Sequence, residues 1–211
     1  MRLGTFKARI MGKSPLLMHS SKGMKHRAEP KAAGESEATK NLPVQSIEEE
    51  AEEGAYRLAN GQLYVPGSAV REALITACKG YNVVVAGKKL KQYLPVVMAA
   101  SITLPQAEIP LYRNGQPISD YEIDLRRVVV RQSGIVRARP SIPLPWELEV
   151  VIEWDLGQWK TTDLIMEMLN NAGRFPGLLE FRPGRGGTFG RFEAEVSEVA
   201  SDLIGKAAVM A

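Results

Sequence analysis

Residues 182–196 read RPGRGGTFGRFEAEV. Four glycines and three arginines crowd the first ten positions, and an alternating pattern follows. Phe192, Ala194 and Val196 fall on one side of that pattern, and Phe189, Arg191 and Glu193 on the other, so the loop opens a β-strand. A Walker A phosphate loop is excluded, because no Gly-Lys-Ser/Thr follows the glycines and no helix does. A dinucleotide fold is excluded too, since GRGGTFG lacks the G-x-G-x-x-G spacing and the helix that would hold a pyrophosphate. What remains is a flexible cationic loop: a contact for a polyanion's backbone, or a tight turn with solvated arginines.

Upstream, WELEVVIEW (146–154) alternates Leu148, Val150, Ile152 and Trp154 against three glutamates, which is a half-buried strand. Residues 3–12 do the same, with Phe6, Ala8 and Ile10 inward and Thr5, Lys7 and Arg9 outward. Between these strands and the last one, Ile165, Met168, Leu169 and Ala172 share one helical face behind a Thr161 or Thr162 cap, with Gly173 beyond its end. A second helix follows the strand and Pro-Gly break in QLYVPGSAVREALITACKG, with Val70, Ala73, Leu74 and Ala77 on one face and Gly80 as its stop. Ser46 and Glu49 form a capping box for a short acidic helix running to about Tyr56. Residues 81–98 are harder to place; Lys88, Lys89 and Lys91 suit a short helix ended by Pro95. ASITLP and EIPLY read as short strands, and Asn114-Gly115 as a tight turn. Residues 124–131 and 135–140 suit a hairpin around Ser133-Gly134. The expected fold class is α+β, a modified ferredoxin-like βαββαβ core within a single domain spanning 1–211. Residues 20–45, poor in apolar periodicity, form a long insertion expected to be mobile and functional.

Bulk properties exclude several functions. Net charge is +3 and the pI about 9.0, so the distribution of charge carries the information. Residues 46–57 hold five glutamates against one arginine. Residues 126–139 hold Arg126, Arg127, Arg131, Arg137 and Arg139 with no acid, and 182–191 hold Arg182, Arg185 and Arg191, again with none. Arginine offers phosphate a planar fork and can stack on bases, which favours nucleic acid over other polyanions. The basic hairpin is either an edge protected by charge or a surface laid across a polynucleotide. No apolar run approaches the roughly 20 residues of a membrane span. With Cys78 as the single cysteine, a reducing cytoplasm is the expected setting.

Catalytic candidates are few. His19 and His26 are the only histidines and have no companion cysteines, so neither zinc nor another cofactor is expected. Residues 20–45 contain no aspartate, only Glu29, Glu35 and Glu37, a poor set for metal-assisted cleavage. Asp120, Glu122 and Asp124 alternate along a strand, where pairing with Arg126 and Arg127 is more economical than a metal. Cys78 reads as inert packing.

The strand running into YVPGSAVREAL, the long N-terminal insertion and the terminal FRPGRGGTFGRFE together resemble the RAMP superfamily of CRISPR proteins. Within it the likeness is to the backbone subunits that polymerise along a guide RNA in Cascade-like complexes. The resemblance implies an RNA-recognition-like palm, residues 20–45 as a finger and 124–140 as a thumb-like hairpin reaching a neighbouring subunit. It implies backbone contacts from Lys7, Arg9, Ser68, Arg71 and the 182–191 loop, including Gly186, Gly187 and Phe189. The expected activity is non-catalytic coating of single-stranded RNA by a homo-oligomer, within a cytoplasmic antiviral ribonucleoprotein that includes other effector subunits. The acidic helix would then meet a neighbour's arginines. Two alternatives stay open: a phage single-stranded-DNA-binding or annealing protein of the same fold, and an endoribonuclease using a histidine.

Overall fold

The structure is a computed structural model that describes residues 3–20, 46–80, 84–85, 88–89, 94–130, 133–155 and 162–200. The described residues form an α+β arrangement of antiparallel sheets with four helices. Its hub is β1 (Leu3–Gly12), flanked on one side by β12 (Glu147–Asp155) and on the other by β13 (Phe192–Ala200), both antiparallel. Beyond β12 come β6 (Ile102–Thr103) and β8 (Tyr112–Arg113), and β9 (Gln116–Pro117) closes the order β13-β1-β12-β8-β9.

Strict alternation makes β1 central. Phe6, Ala8 and Ile10 are fully buried and lie opposite Ile152, Val150 and Leu148, themselves buried. Each large side chain so buried contributes on the order of 1.5–3 kcal/mol. Gly4 and Gly12 continue this inner face at either end of the strand. A Cβ on Gly4 would run into the ring of Trp154, and one on Gly12 into Trp146. Glycine therefore stands where the two indoles cross β1, and Trp154 meets Phe6 edge-on at 5.3 Å.

Two helices cover this face. In α2 (Gly67–Ala77), Val70, Ala73 and Leu74 are buried as expected, while Ala77 is half-buried. In α4 (Asp163–Arg174), Ile165, Met168, Leu169 and Ala172 are buried. Asn170 fastens α4 to the sheet, accepting from the Ala194 N–H at 2.8 Å and donating to its carbonyl at 3.0 Å. Thr162 stands at the start of α4 but makes no side-chain cap bond. The predicted strand Tyr64–Pro66 (β3) exists and passes directly into α2, with Pro66 at the helix start.

A second sheet carries the hairpin β10 (Glu122–Val130) and β11 (Ser133–Ile142), joined to β2 (Leu16–Leu17). Val130 pairs with Ser133 and Val129 with Gly134, so Ser133-Gly134 lies within a strand, not in the turn. Against β11 packs α1 (Ile47–Gly54), which ends two residues short of Tyr56. Its capping box is complete: Glu49 N–H donates to Ser46 Oγ at 3.1 Å, and Ser46 N–H to Glu49 Oε2 at 3.0 Å. A Ser46→Ala variant should unfold about 1 kcal/mol more easily in urea, with an unchanged m-value.

Other expectations need correction. Lys88 and Lys89 form β5, paired with β4 (Val84–Val85), rather than a helix. Pro95 lies in the first turn of α3 (Leu94–Ser101) instead of ending a helix, a position where its missing N–H costs nothing. That helix also absorbs Ala99–Ser101, leaving only Ile102–Thr103 of the expected strand. Val196 does share the inner face, opposite Ala8, but on the sheet's edge strand it is 39% exposed. EIPLY supplies strand as expected, in β7 (Glu108–Pro110), which pairs with β3, and in the first residue of β8. The Asn114-Gly115 turn is present, with φ of 52° and 77° matching a two-residue hairpin loop. Residues 21–45, the bulk of the finger insertion, lie outside the described residues, as does Arg131. Among the described residues no helix is long and apolar enough to cross a membrane.

Candidate nucleic-acid interface

The two arginine clusters of the sequence meet in space. Antiparallel register sets Arg126 opposite Arg137 and Asp124 opposite Arg139, so all four share one face of the hairpin. That face lies against the glycine-rich loop. The Arg126 guanidinium sits 4.5 Å from the Phe189 ring centre and 5.3 Å from that of Phe181; Arg139 lies 5.4 Å from Phe181. Such stacking is worth roughly 0.5–2 kcal/mol, rising with desolvation. Three cations on one face repel, and two are answered by acids. Arg126 is 2.5 Å from Asp124, and Arg137 is 2.7 Å from Glu50, whose other oxygen accepts from Ala138 N–H at 3.3 Å. Arg127 points the other way and is exposed.

The loop is folded back on its own approach segment. A 3-10 turn at Pro183–Arg185 leads to Gly186, which has φ 78° and open space around it. Gly187 is different. Its N–H donates to Arg182 O at 3.0 Å, and a Cβ there would collide with the Phe181 carbonyl. Gly190 is held likewise against Leu178 and donates to Pro15 O at 2.8 Å. Two of the four glycines thus serve packing rather than opening room beside a ligand. Phe189, expected to face outward as a bare stacking platform, is half-buried with Arg126 upon it. Arg182 is held by Glu72 of α2 at 3.2 Å and by Leu179 O. Arg185 and Arg191 remain exposed, and no ion pair holds either among the described residues. Arg191 borders a cleft of about 430 Å³ that also draws in Lys13, Asn170, Asn171, Arg174 and Glu193. Lys13 and Arg174 escaped the sequence reading, because nothing local marks them; the meeting of β1, α4 and β13 puts them beside Arg191.

The remaining expected contacts lie elsewhere. Lys7 and Arg9 project from the outer sheet face among Glu147, Glu149, Glu153, Glu193 and Glu195. Arg9 bonds to Glu147 through Nε at 2.8 Å and nears Glu195 at 3.9 Å; Lys7 is 3.8 Å from Glu149. The Arg9 guanidinium holds the Glu147 carboxyl below its usual range. That face is net acidic. Ser68 is exposed in the first turn of α2, whereas Arg71 donates to Ala99 O at 2.6 Å and ties α2 to α3.

The acidic helix finds its arginine within the same chain, through Glu50 and Arg137. Glu52 joins Arg57 at 2.7 and 2.9 Å and accepts from Tyr121 Oη at 2.8 Å. The Arg57 hydrogen bond holds the Glu52 carboxyl below its ordinary value, while burial pushes the Tyr121 hydroxyl up to about 12. A depressed carboxylate stabilises the fold fully above its unfolded value and loses that contribution as pH falls through the folded one. Glu52→Gln should therefore flatten the acid limb of the stability–pH curve below about pH 4.5, measured by urea midpoints.

His19 is half-buried, and Tyr56 Oη donates to its backbone carbonyl at 3.2 Å. Burial first, then the charge of Arg139, holds its imidazole below the ordinary value, with Glu180 and Glu50 opposing. Cys78 is buried, donates to Leu74 O and has its thiol pushed up to about 12 by burial, as packing requires. Asp120 pairs with Arg113 at 3.2 Å, and no metal-binding group of acids, histidines and cysteines occurs among the described residues.

No family model matches this chain, and no curated protein does. Solved structures do. One chain in the cryo-EM structure of the Type III-B Cmr-beta bound to cognate target RNA matches with a TM-score of 0.53 at 10% identity. The match covers 94% of this protein and 60% of that chain. At this identity the likeness is one of fold, and this protein spans about three-fifths of that chain's length.

Proposed function

We propose that the protein is a non-catalytic subunit that coats single-stranded RNA, repeated along a guide strand in a CRISPR effector complex. The strand order β13-β1-β12-β6, antiparallel throughout and covered by α2 and α4, is read as a modified ferredoxin-like, RNA-recognition-like core. Its likeness to a chain of an RNA-bound Cmr complex agrees with this. The observation that carries the proposal is the junction of hairpin and loop. Arg126 of the hairpin stacks on Phe181 and Phe189 of the loop segment, whose Arg185 and Arg191 are exposed, while Arg127 is exposed on the opposite face of the hairpin. Exposed arginines without acid partners suit phosphates, and the contacts should be insensitive to base identity and weakened by salt.

The strand is drawn along this junction and the cleft beside Arg191. It is kept off the outer sheet face, where glutamates outnumber Lys7 and Arg9. Fluorescence anisotropy with labelled RNA and DNA single strands over a salt series tests the reading. RNA binding that weakens linearly in log salt supports it. Binding of DNA in preference to RNA favours the phage alternative, and cleavage that disappears in His19→Ala favours the nuclease. Absence of a shift with either strand at low salt overturns nucleic-acid binding altogether.

A further inference from the structure

Arg139 is only 8% exposed, and its Nε and Nη1 are buried without a hydrogen-bond partner among the described residues. Each nearby acid is committed elsewhere or held apart. Asp124, its cross-strand neighbour, closes on Arg126 instead. Glu50 is taken by Arg137 and the Ala138 N–H. Glu180, whose charge reaches His19, forms no ion pair with Arg139. The guanidinium is left against one face of Phe181 with two donors idle. A permanently charged group buried in this way is costly, and removing it is commonly neutral or stabilising unless something answers the charge. Arg113 also has idle donors, at Nε and Nη2, but its Nη1 reaches Asp120. Among the described residues Arg139 has no such acid.

We propose that Arg139 is the receptor for a single oxyanion, a backbone phosphate of the bound strand, held between β11, the turn at Phe181 and His19. Each idle donor shares an edge of the guanidinium with Nη2, Nε at the side and Nη1 at the end, and either edge can take two oxygens of a phosphate side by side. Arg126 and Arg137 share this hairpin face with Arg139, and Asp124, Glu50 and Glu180 balance the three cations, so the unpartnered guanidinium itself, rather than a surplus of positive charge, is what would draw an anion. The inference rests on the nucleic-acid reading for the source of the phosphate, but not for the receptor itself. It differs from the exposed arginines in kind: those supply screened attraction, whereas Arg139 supplies a desolvated contact that fixes where the strand sits.

Arg139→Met tests this, because it keeps the length and removes the charge. Melting in buffer should be unchanged or higher than wild type. Affinity for a labelled RNA strand should fall about tenfold, and the slope of log affinity against log salt should shrink by about 0.7, the value of one single-strand phosphate. In parallel, inorganic pyrophosphate should raise the melting temperature of wild type over chloride at equal ionic strength, and not that of Arg139→Met. Pyrophosphate protection without any strand binding would uphold the receptor and refute the nucleic-acid source. A less stable Arg139→Met with unchanged affinity and slope, or a wild type that pyrophosphate does not protect together with an Arg139→Met unaltered in binding, overturns the proposal. Should the methionine variant fail to fold, Arg139→Lys keeps charge without the fork. It should then retain the fold and lose most of the pyrophosphate protection; full protection would overturn the claim.

Discussion

A Gly187→Ala variant should unfold about 2–3 kcal/mol more easily than wild type, lowering the melting temperature by roughly 4–12 °C for a chain of this size. The reason is backbone against backbone. An added methyl would enter the Phe181 carbonyl, and neither side can swing aside as a flexible side chain would. The same segment carries the Phe189 N–H to Phe181 O bond at 3.0 Å and the Gly187 N–H to Arg182 O bond at 3.0 Å, so relief breaks the loop's own hydrogen bonds. Gly186→Ala supplies the contrast. It meets no atoms within 4 Å and pays only for a left-handed backbone at φ 78°, a cost of about 1–2 kcal/mol. Thermal melts of both variants, with and without RNA, decide the matter. A Gly187→Ala protein that melts like wild type but no longer binds would show that the glycine makes room for ligand rather than for Phe181.

The second large effect concerns binding. Arg185→Ala combined with Arg191→Ala should weaken single-strand affinity by about 10–100-fold at low salt. It should also cut the salt slope by about 1.4, two phosphates' worth. Both side chains are exposed and hold no ion pair among the described residues, so stability should stay within about 0.5 kcal/mol of wild type. The loss should be uniform across strand sequences, because these contacts address backbone rather than bases. An unchanged slope would remove the loop from the interface. In contrast, Lys7 and Arg9 already face glutamates, so the same double replacement there should leave the slope unchanged.

Much of the frame was legible because burial leaves a period in the sequence. A strand covered on one face repeats every second residue, which is why Phe6, Ala8 and Ile10 and their partners on β12 were readable without coordinates. The helix carrying Ile165, Met168, Leu169 and Ala172 repeats at three and four, and the Ser46–Glu49 box is complete within four consecutive residues. Short elements without a period were misjudged. Leu94–Ser101 is apolar nearly all round, so neither its helical form nor the placement of Pro95 in its first turn shows in a pattern.

Chemistry was legible only as composition. The two arginine-rich, acid-free stretches could be counted, and the hairpin could be drawn, but cross-strand register alone sets Arg126 opposite Arg137 and Asp124 opposite Arg139. Register and loop packing then divide identical arginines into different roles: Arg137 neutralised by Glu50, Arg126 stacked on Phe189, Arg182 tied to Glu72, Arg185 and Arg191 left to solvent. Glycines that looked like space for a phosphate proved, at Gly187 and Gly190, to be space for the chain itself. By itself the sequence determined which residues are inside and which segments are cationic, since both follow from neighbours a few positions away. Only the tertiary structure decided which charges are answered and which, like Arg139, are buried with no partner among the described residues, because a charge's energy depends on acids and rings brought close from distant parts of the chain.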